Sequence, residues 1–482
     1  MVLPSLFVES MRSLLGPEDY TSFETALAAD VPASVRVNEN KADSEHFLQG
    51  AQVPWCPGGR YLDRRPTFTF DPLFHAGCYY VQEASSMFLA RALRQYLTEE
   101  TVVALDLCAA PGGKSTLMRS LLPEGSLLVT NEVMKNRVQI LAENMTKWGH
   151  PDVVVTNSDP SAFTSLAGVF DVLLSDVPCS GEGMFRKDQV AVDEWSPANV
   201  ELCWQRQRRI LADVWPALKP GGLLVYSTCT FNTLENEENI RWICQELGAE
   251  VLPVAIEDSW KITGNLLPDE TFPVYRFLPH RTQGEGLFMA VLRKNEDDSF
   301  DFSMGSPRKF FKKEAKGKKK GTSQASMKDF LLKAAGWLND ADAYTLLPNG
   351  DDVVAIPSAH ANLIEQLRSA LRVIQAGVVV GSVKGKDLIP SHALAMSTLL
   401  SRESLVTCEV NYDQAIAYLR KEAIVLPADM ERGYVLITYR NVPLGFVKHL
   451  GNRANNLYPQ EWRIRSGYLP EEIVLPYGMT TT

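Results

Sequence analysis

The chain has 482 residues, 45% hydrophobic and 22% charged, and carries a formal charge of −10. That composition describes a globular protein long enough for several folding units. A net acidic chain does not coat nucleic acid by bulk charge alone. Eight cysteines in a chain of this length, with no CxxC pair, exclude a disulfide scaffold and a common zinc site, so no metal is expected. No run of about 18 apolar residues reads as a membrane span. No basic segment followed by an apolar one reads as a leader, so the expected place is the cytoplasm.

Residues 1–95 read as an amino-terminal α+β extension, with helical periodicity in SLFVESMRSLLG and QEASSMFLARALRQYL. Residues 96–295 alternate short apolar strands with amphipathic helices, the pattern of a Rossmann-like, doubly wound parallel α/β sheet. The predicted strands are VVALDL, SLLVTNE, DVVVTN, FDVLLSD and GGLLVYST, and LFMAVLR is expected as a late edge strand. Helices are expected in KSTLMRSLL, NRVQILAENMTKWG and NVELCWQRQRRILADVWPAL, the last stopped by KPGG. Residues 296–325 read as a basic linker, whose stretch RKFFKKEAKGKKK at 308–320 is either solvated or set against phosphate. A connecting subdomain is expected over 326–390 and a β-rich module over 391–482. In that module GYVLITYRNVPLGFVKHLGN predicts a hairpin that turns at NVPLG.

The segment VVALDLCAAPGGKSTLM at 102–118 runs strand, small-residue turn, helix. Gly112 and Gly113 lack a Cβ, so the backbone there can turn tightly and approach a ligand. The dinucleotide GxGxxG spacing is absent, which argues against nicotinamide and flavin. An acidic residue ending the second strand suits a ribose diol, and Glu132 stands there. Asp159 follows the third strand, where it could receive an adenine amino group. Each feature alone would be a tight turn or a capping carboxylate. Their order together predicts a nucleotide-type pocket.

Two further strand ends carry cysteine. FDVLLSD continues as VPCSGEGMFRKD, giving Asp176 and Cys179, and GGLLVYST continues as CTFNTLENEENI, giving Cys229. In a doubly wound sheet both loops open on the same edge as the cofactor turn, so Asp176, Cys179 and Cys229 are expected to converge. The other six cysteines, Cys56, Cys78, Cys108, Cys203, Cys244 and Cys408, read as small buried hydrophobes.

DLCAAPGGK at 106–114, DVPCSGEGMF at 176–185 and STCTFNTLENEENI at 227–240 resemble the RNA cytosine-C5 methyltransferases of the Sun/Nop family, and among them the RsmF type that acts on 16S ribosomal RNA. RVN at 36–38, YYVQEASSM at 79–87 and, in a PUA-like carboxyl-terminal module, PLGFVKHLGNRANNLYP at 443–459 extend the likeness over nearly the whole chain. The resemblance implies S-adenosylmethionine as cofactor, bound by Cys108, Ala109, Ala110, Pro111, Gly112, Gly113, Lys114, Glu132, Asp159 and Asp176. It implies Cys229, in the TCT motif, as nucleophile, and Cys179, in the Pro-Cys motif, as the residue that assists product release. Spacing alone leaves the two thiols exchangeable. Departures are Val177, where many relatives have Ala, and the acidic net charge.

The chemistry explains why such an enzyme needs a thiol. C5 of cytosine is a poor nucleophile until a thiolate adds at C6 and makes it enamine-like. Charge then builds at N3 and O2 and needs a donor. Asp176 is the expected one, which would require a proton held in a dry pocket. Ribosomal RNA or the small ribosomal subunit is the implied partner of a chain expected to be monomeric. The amino-terminal extension and the PUA-like module are expected to bind RNA. Lys384, Lys386, Lys448 and Arg453 are candidate phosphate contacts, and Tyr458 reads as core in preference to a stacking platform. The competing readings are a DNA cytosine-C5 methyltransferase, with Cys179 as nucleophile, and a non-catalytic RNA-binding factor of ribosome assembly.

Overall fold

Five apolar runs between positions 103 and 228 form the parallel centre of a nine-stranded sheet in the computed structural model, which describes residues 2–42, 49–296, 324–469, 472–477 and 480–481. The basic stretch 308–320 lies outside the described residues. Strands β1 (Val103–Asp106), β2 (Leu127–Asn131), β3 (Val153–Thr156), β4 (Phe170–Asp176) and β5 (Leu218–Thr228) are followed by β6 (Ala249–Leu252), β7 (Tyr275–Phe277), β8 (Leu287–Lys294) and β9 (Val373–Ala376). They lie in the order β6-β8-β5-β4-β1-β2-β3-β9, with β7 paired to β8. The order reverses between β1 and β4, and a doubly wound sheet opens its ligand crevice at such a point.

Both faces of this sheet are covered, which is why its strands read as unbroken apolar runs. On one face Leu128, Val155, Leu174 and Val225 pack with Leu117 and Met118 of helix α1 (Gly113–Leu121) and Val138 and Leu141 of α2 (Lys135–Trp148). On the other, Leu105, Val129, Leu173 and Leu224 meet Ile210, Leu211 and Val214 of α3 (Pro197–Val214) and Ile240 and Ile243 of α4 (Glu237–Glu246). Helix α3 starts where the Ser196 hydroxyl accepts the Asn199 N–H, with Pro197 in its first turn.

Three details differ from the sequence reading. LFMAVLR is not an edge strand: β8 lies between β5 and β6, antiparallel to both, and is buried along nearly its whole length. The short, half-polar β6 forms the edge instead. At the opposite edge β9, contributed from far down the chain, pairs antiparallel with β3. The carboxyl-terminal hairpin turns at Arg440 and Asn441, so only the first residue of the predicted NVPLG lies in it; both have positive φ (49° and 62°), the two-residue turn that matches strand twist. Pro443 and Gly445 sit inside the returning strand, where the register shifts around Leu444.

The amino-terminal extension is a four-stranded antiparallel sheet centred on Ala33–Val37 and Cys56–Leu62. From it the buried Arg36 reaches the catalytic unit, donating to Thr116 Oγ1 (2.6 Å) and lying over the Trp148 ring. The carboxyl-terminal part holds two four-stranded sheets, Tyr344–Pro390 and Val406–Asn456. Tyr458 is fully buried there and fills core. Lys384, Lys386 and Arg453 are exposed, and Lys448 pairs with Asp387 at 2.8 Å.

Candidate active site

The turn between β1 and α1 is held from several sides. Ala109 N–H donates to the Asn131 carbonyl at 2.8 Å, Arg137 donates to the Ala110 carbonyl at 2.7 Å, and the Asn144 amide donates to the Pro111 carbonyl at 2.8 Å. Gly112, at φ +117°, takes a left-handed conformation that a side chain would strain, and a Cβ there would stand 3.4 Å from Leu141. Behind the turn, buried Asp106 accepts from Ser115 Oγ at 2.6 Å through one oxygen, while its Oδ1 has no partner among the described residues. Burial pushes the Asp106 carboxyl up to about 7, against the lowering effect of the Ser115 bond. The sequence reading used Asp106 only as a strand end. Its position beside the glycines was the available signal.

Glu132 follows β2 and is 3% exposed. Its Oε1 accepts the Met134 N–H at 2.8 Å, and its Oε2 faces Arg137 at 3.4 Å. A carboxylate has about four lone-pair positions, so capacity for a diol remains. Asp159 is exposed and caps the short helix Pro160–Leu166, with Oδ1 accepting from Ser161 N–H and Oγ. The Ser161 hydroxyl bond is the main reason its pKa is lowered.

Strands β4 and β5 run parallel with Asp176 beside Ser227, so both thiol loops leave the sheet together. The sulfurs of Cys179 and Cys229, 50 residues apart in sequence, are 3.4 Å apart. The hydrogen bond to the Cys229 sulfur, followed by burial, pushes the Cys179 thiol well up. Asp176 accepts from Ser227 Oγ at 2.6 Å and meets the Lys114 ammonium at 2.9 Å. Burial would lower the Lys114 pKa, but the charge and hydrogen bond of Asp176 outweigh it and raise the value. The dry pocket expected around Asp176 is absent: its side chain is 34% exposed and already ion-paired. All eight cysteines are free; of the six read as core, Cys56, Cys78, Cys203 and Cys408 are buried, while Cys108 and Cys244 are partly exposed.

The chain matches the family models of the 16S rRNA methyltransferase RsmB/F over residues 94–293, the N-terminal domain of 16S rRNA methyltransferase RsmF over 3–84, and the methyltransferase RsmF PUA domain over 406–464. It is 31% identical over 476 residues to the ribosomal RNA small subunit methyltransferase F of Vibrio cholerae serotype O1 (strain M66-2), covering 95% of this chain and 97% of the relative. The chain belongs to the RsmF family. The corresponding protein of Aliivibrio fischeri (strain MJ11) is 30% identical over 490 residues, or 97% of this chain and 98% of that one.

Among solved structures, a methyltransferase homolog protein from Pyrococcus horikoshii superposes with a TM-score of 0.52 at 29% identity, over 60% of this chain and 95% of its own. The fold is also that of NSun6 from Pyrococcus horikoshii, solved with SFG (TM-score 0.53, 22% identity, 61% and 99% coverage). The RsmF family is S-adenosylmethionine-dependent, and this chain fits that cofactor. The left-handed glycine, Asp106 with its unpartnered oxygen and the carboxylate Glu132 all stand at or just beyond the carboxyl ends of the adjacent strands β1 and β2, where such a cofactor binds. No described helix is long and apolar enough to cross a membrane.

Proposed function

We propose that this RsmF-family methyltransferase transfers a methyl group to C5 of a cytidine in 16S ribosomal RNA in the cytoplasm, with Cys229 as covalent nucleophile. The contact of the Cys179 and Cys229 sulfurs at 3.4 Å, beside the cofactor turn, carries this reading. When bound, S-adenosylmethionine would supply an electrophilic methyl group and depart as the neutral thioether. The turn from Cys108 to Lys114 and the carboxylates of Glu132, Asp159 and Asp176 would hold it.

The Cys229 thiolate adds to C6 of the base, forming a C–S bond and moving the π pair toward N3 and O2. The Lys114–Asp176 pair puts a charged N–H donor at the site, so the developing charge is met without a proton on the carboxyl itself. Once methylated, C5 gives up its proton to solvent water, which reaches the site at the part-exposed Asp176. The C6–S bond breaks and its electron pair returns to the Cys229 sulfur. Cys179 donates an S–H hydrogen bond to that departing sulfur. Spacing left the two thiols exchangeable, and the likeness of the TCT motif to the family's supports Cys229 as the attacking one.

The base must leave its stack, at a cost of a few kcal/mol unless it already lies in a loop. We assign RNA contact to residues 1–95 and 391–482, with exposed Lys384, Lys386 and Arg453 against phosphate. Methyl transfer from tritiated cofactor to 16S RNA, mapped by bisulfite sequencing in a deletion strain, tests the reading. One or more cytidines should lose protection in the strain and regain it on complementation. An unchanged 16S pattern would refute it.

Glu132→Ala should remove the charge-assisted hydrogen bonds to the ribose, worth about 1.5–3 kcal/mol. The expected result is a KM for S-adenosylmethionine about 10- to 100-fold higher with kcat nearly constant, read from initial rates. A fall in kcat at constant KM would assign Glu132 elsewhere.

A further inference from the structure

The thiol-bearing motifs each contain a buried carboxylate that the proposed chemistry does not use. Glu182, three residues beyond Cys179, is 1% exposed, and Glu235, six beyond Cys229, is fully buried. Glu182 reaches into the Cys229 loop. Its Oε2 accepts the backbone N–H groups of Phe231 (2.6 Å) and Asn232 (3.0 Å), and its Oε1 accepts from Asn232 Nδ2 (3.1 Å) and Trp195 Nε1 (3.0 Å). Glu235 reaches the opposite way. Its Oε2 accepts the backbone N–H of Ser180, next to Cys179, at 3.0 Å and Gln207 Nε2 at 2.7 Å, while its Oε1 takes the Ser180 hydroxyl and Asn232 Nδ2 (2.8 Å).

Between the two clamps the loops touch directly. Gly183 N–H donates to the Cys229 carbonyl at 2.7 Å, and a Cβ on Gly183 would fall 2.4 Å from that oxygen. We infer that Glu182 and Glu235 are positioning residues that reciprocally lock the two loops and so set the sulfur-to-sulfur distance on which adduct formation and release depend. The inference rests on the proposed roles of Cys229 and Cys179.

The charge state matters because every partner of these oxygens among the described residues is an N–H or O–H donor. Glutamine, of equal shape, would turn an NH2 group toward donors and break bonds on one side of each clamp. A displacement of about 1 Å in a reacting group is enough to cost roughly 10²-fold in rate.

The test uses the full chain carrying Glu182→Gln or Glu235→Gln. Diamide oxidises the two thiols to a disulfide while its diazene is reduced to the hydrazine, and mass spectrometry of the linked peptides follows the Cys179–Cys229 bond. Methyl transfer is measured in parallel. The expected result is disulfide formation and kcat each reduced by about tenfold or more, with KM for S-adenosylmethionine within about twofold of the unaltered chain. A disulfide rate within about twofold of the unaltered chain would overturn the inference, whatever happens to turnover. Should a glutamine variant fail to fold, Ser180→Ala removes only the hydroxyl from the Glu235 clamp. It should slow the disulfide by about threefold or more, and no change would overturn the inference equally. The disulfide assay needs no methyl transfer, so it reads the clamp even if Cys229 proves not to be the nucleophile.

Discussion

Cys229→Ser is expected to lower methyl transfer to ribosomal RNA by at least about 10³-fold while leaving S-adenosylmethionine binding unchanged. A hydroxyl is a far weaker nucleophile than a thiolate at neutral pH, and the neighbouring thiol, Cys179, is assigned here to product release and not to attack on C6. The opposite phenotype is expected of Cys179→Ala. Loss of the thiol whose sulfur stands 3.4 Å from that of Cys229 leaves addition possible and slows departure, so a denaturation-resistant protein–RNA adduct should accumulate. Tritium transfer and cofactor titration measure the first, and gel mobility under denaturing conditions the second. Turnover of Cys229→Ser within about tenfold of the unaltered chain would remove covalent catalysis from the account.

The largest effect on stability is expected at a pair behind the nucleophile loop. Arg276 donates to Glu237 Oε1 at 2.6 Å and to the Phe231 carbonyl at 2.6 Å, with the side chains of Arg276 and Glu237 1% and 0% exposed. Glu237 stands in the first turn of α4, where a carboxylate also suits the helix dipole. Removing one member leaves the other charge buried without its partner, which costs about 3–5 kcal/mol. Glu237→Ala should therefore lower Tm by about 6–20 °C, at 2–4 °C per kcal/mol for a domain of this size. Replacing both residues by apolar ones of similar volume should cost less than the single change, because no charge is stranded. A single-variant Tm within about 2 °C of the unaltered chain would show that the pair carries no such weight.

The catalytic sheet was legible because each central strand is an apolar run, and four of the five end at or next to Asp106, Glu132, Asp176 and Cys229. These stops sit at the carboxyl ends of the strands, so reading strand boundaries also located the sheet edge that carries the candidate site. What pairs with what at long range was not legible. VIQA at 373–376 has no strong strand pattern, and only the exposed edge of β3 makes it a strand. LFMAVLR is as apolar as an edge or a central strand could be, and its burial between β5 and β6 depends on a connection that composition does not encode. The hairpin turn was read as reaching too far past Asn441 because Pro443 and Gly445 are strong turn residues, whereas here they serve a bulge. At the site, the residue types were readable but their charges were not. Asp176 was expected to be dry and protonated, but Lys114, from the adjacent cofactor turn, supplies an ion pair instead. Glu182 and Glu235 were both within the recognised motifs, yet their reach into the opposite loop is a property of the folded β4–β5 end alone.

The most direct test of the central claim is to incubate the unaltered chain with S-adenosylmethionine and 16S RNA containing 5-fluorocytidine, which cannot lose its C5 substituent, and to sequence the RNA-linked peptide. The account predicts a single adduct on the peptide carrying Cys229, formed undiminished by Cys179→Ala and abolished by Cys229→Ala. An adduct on the Cys179 peptide, or one that survives Cys229→Ala, would contradict it.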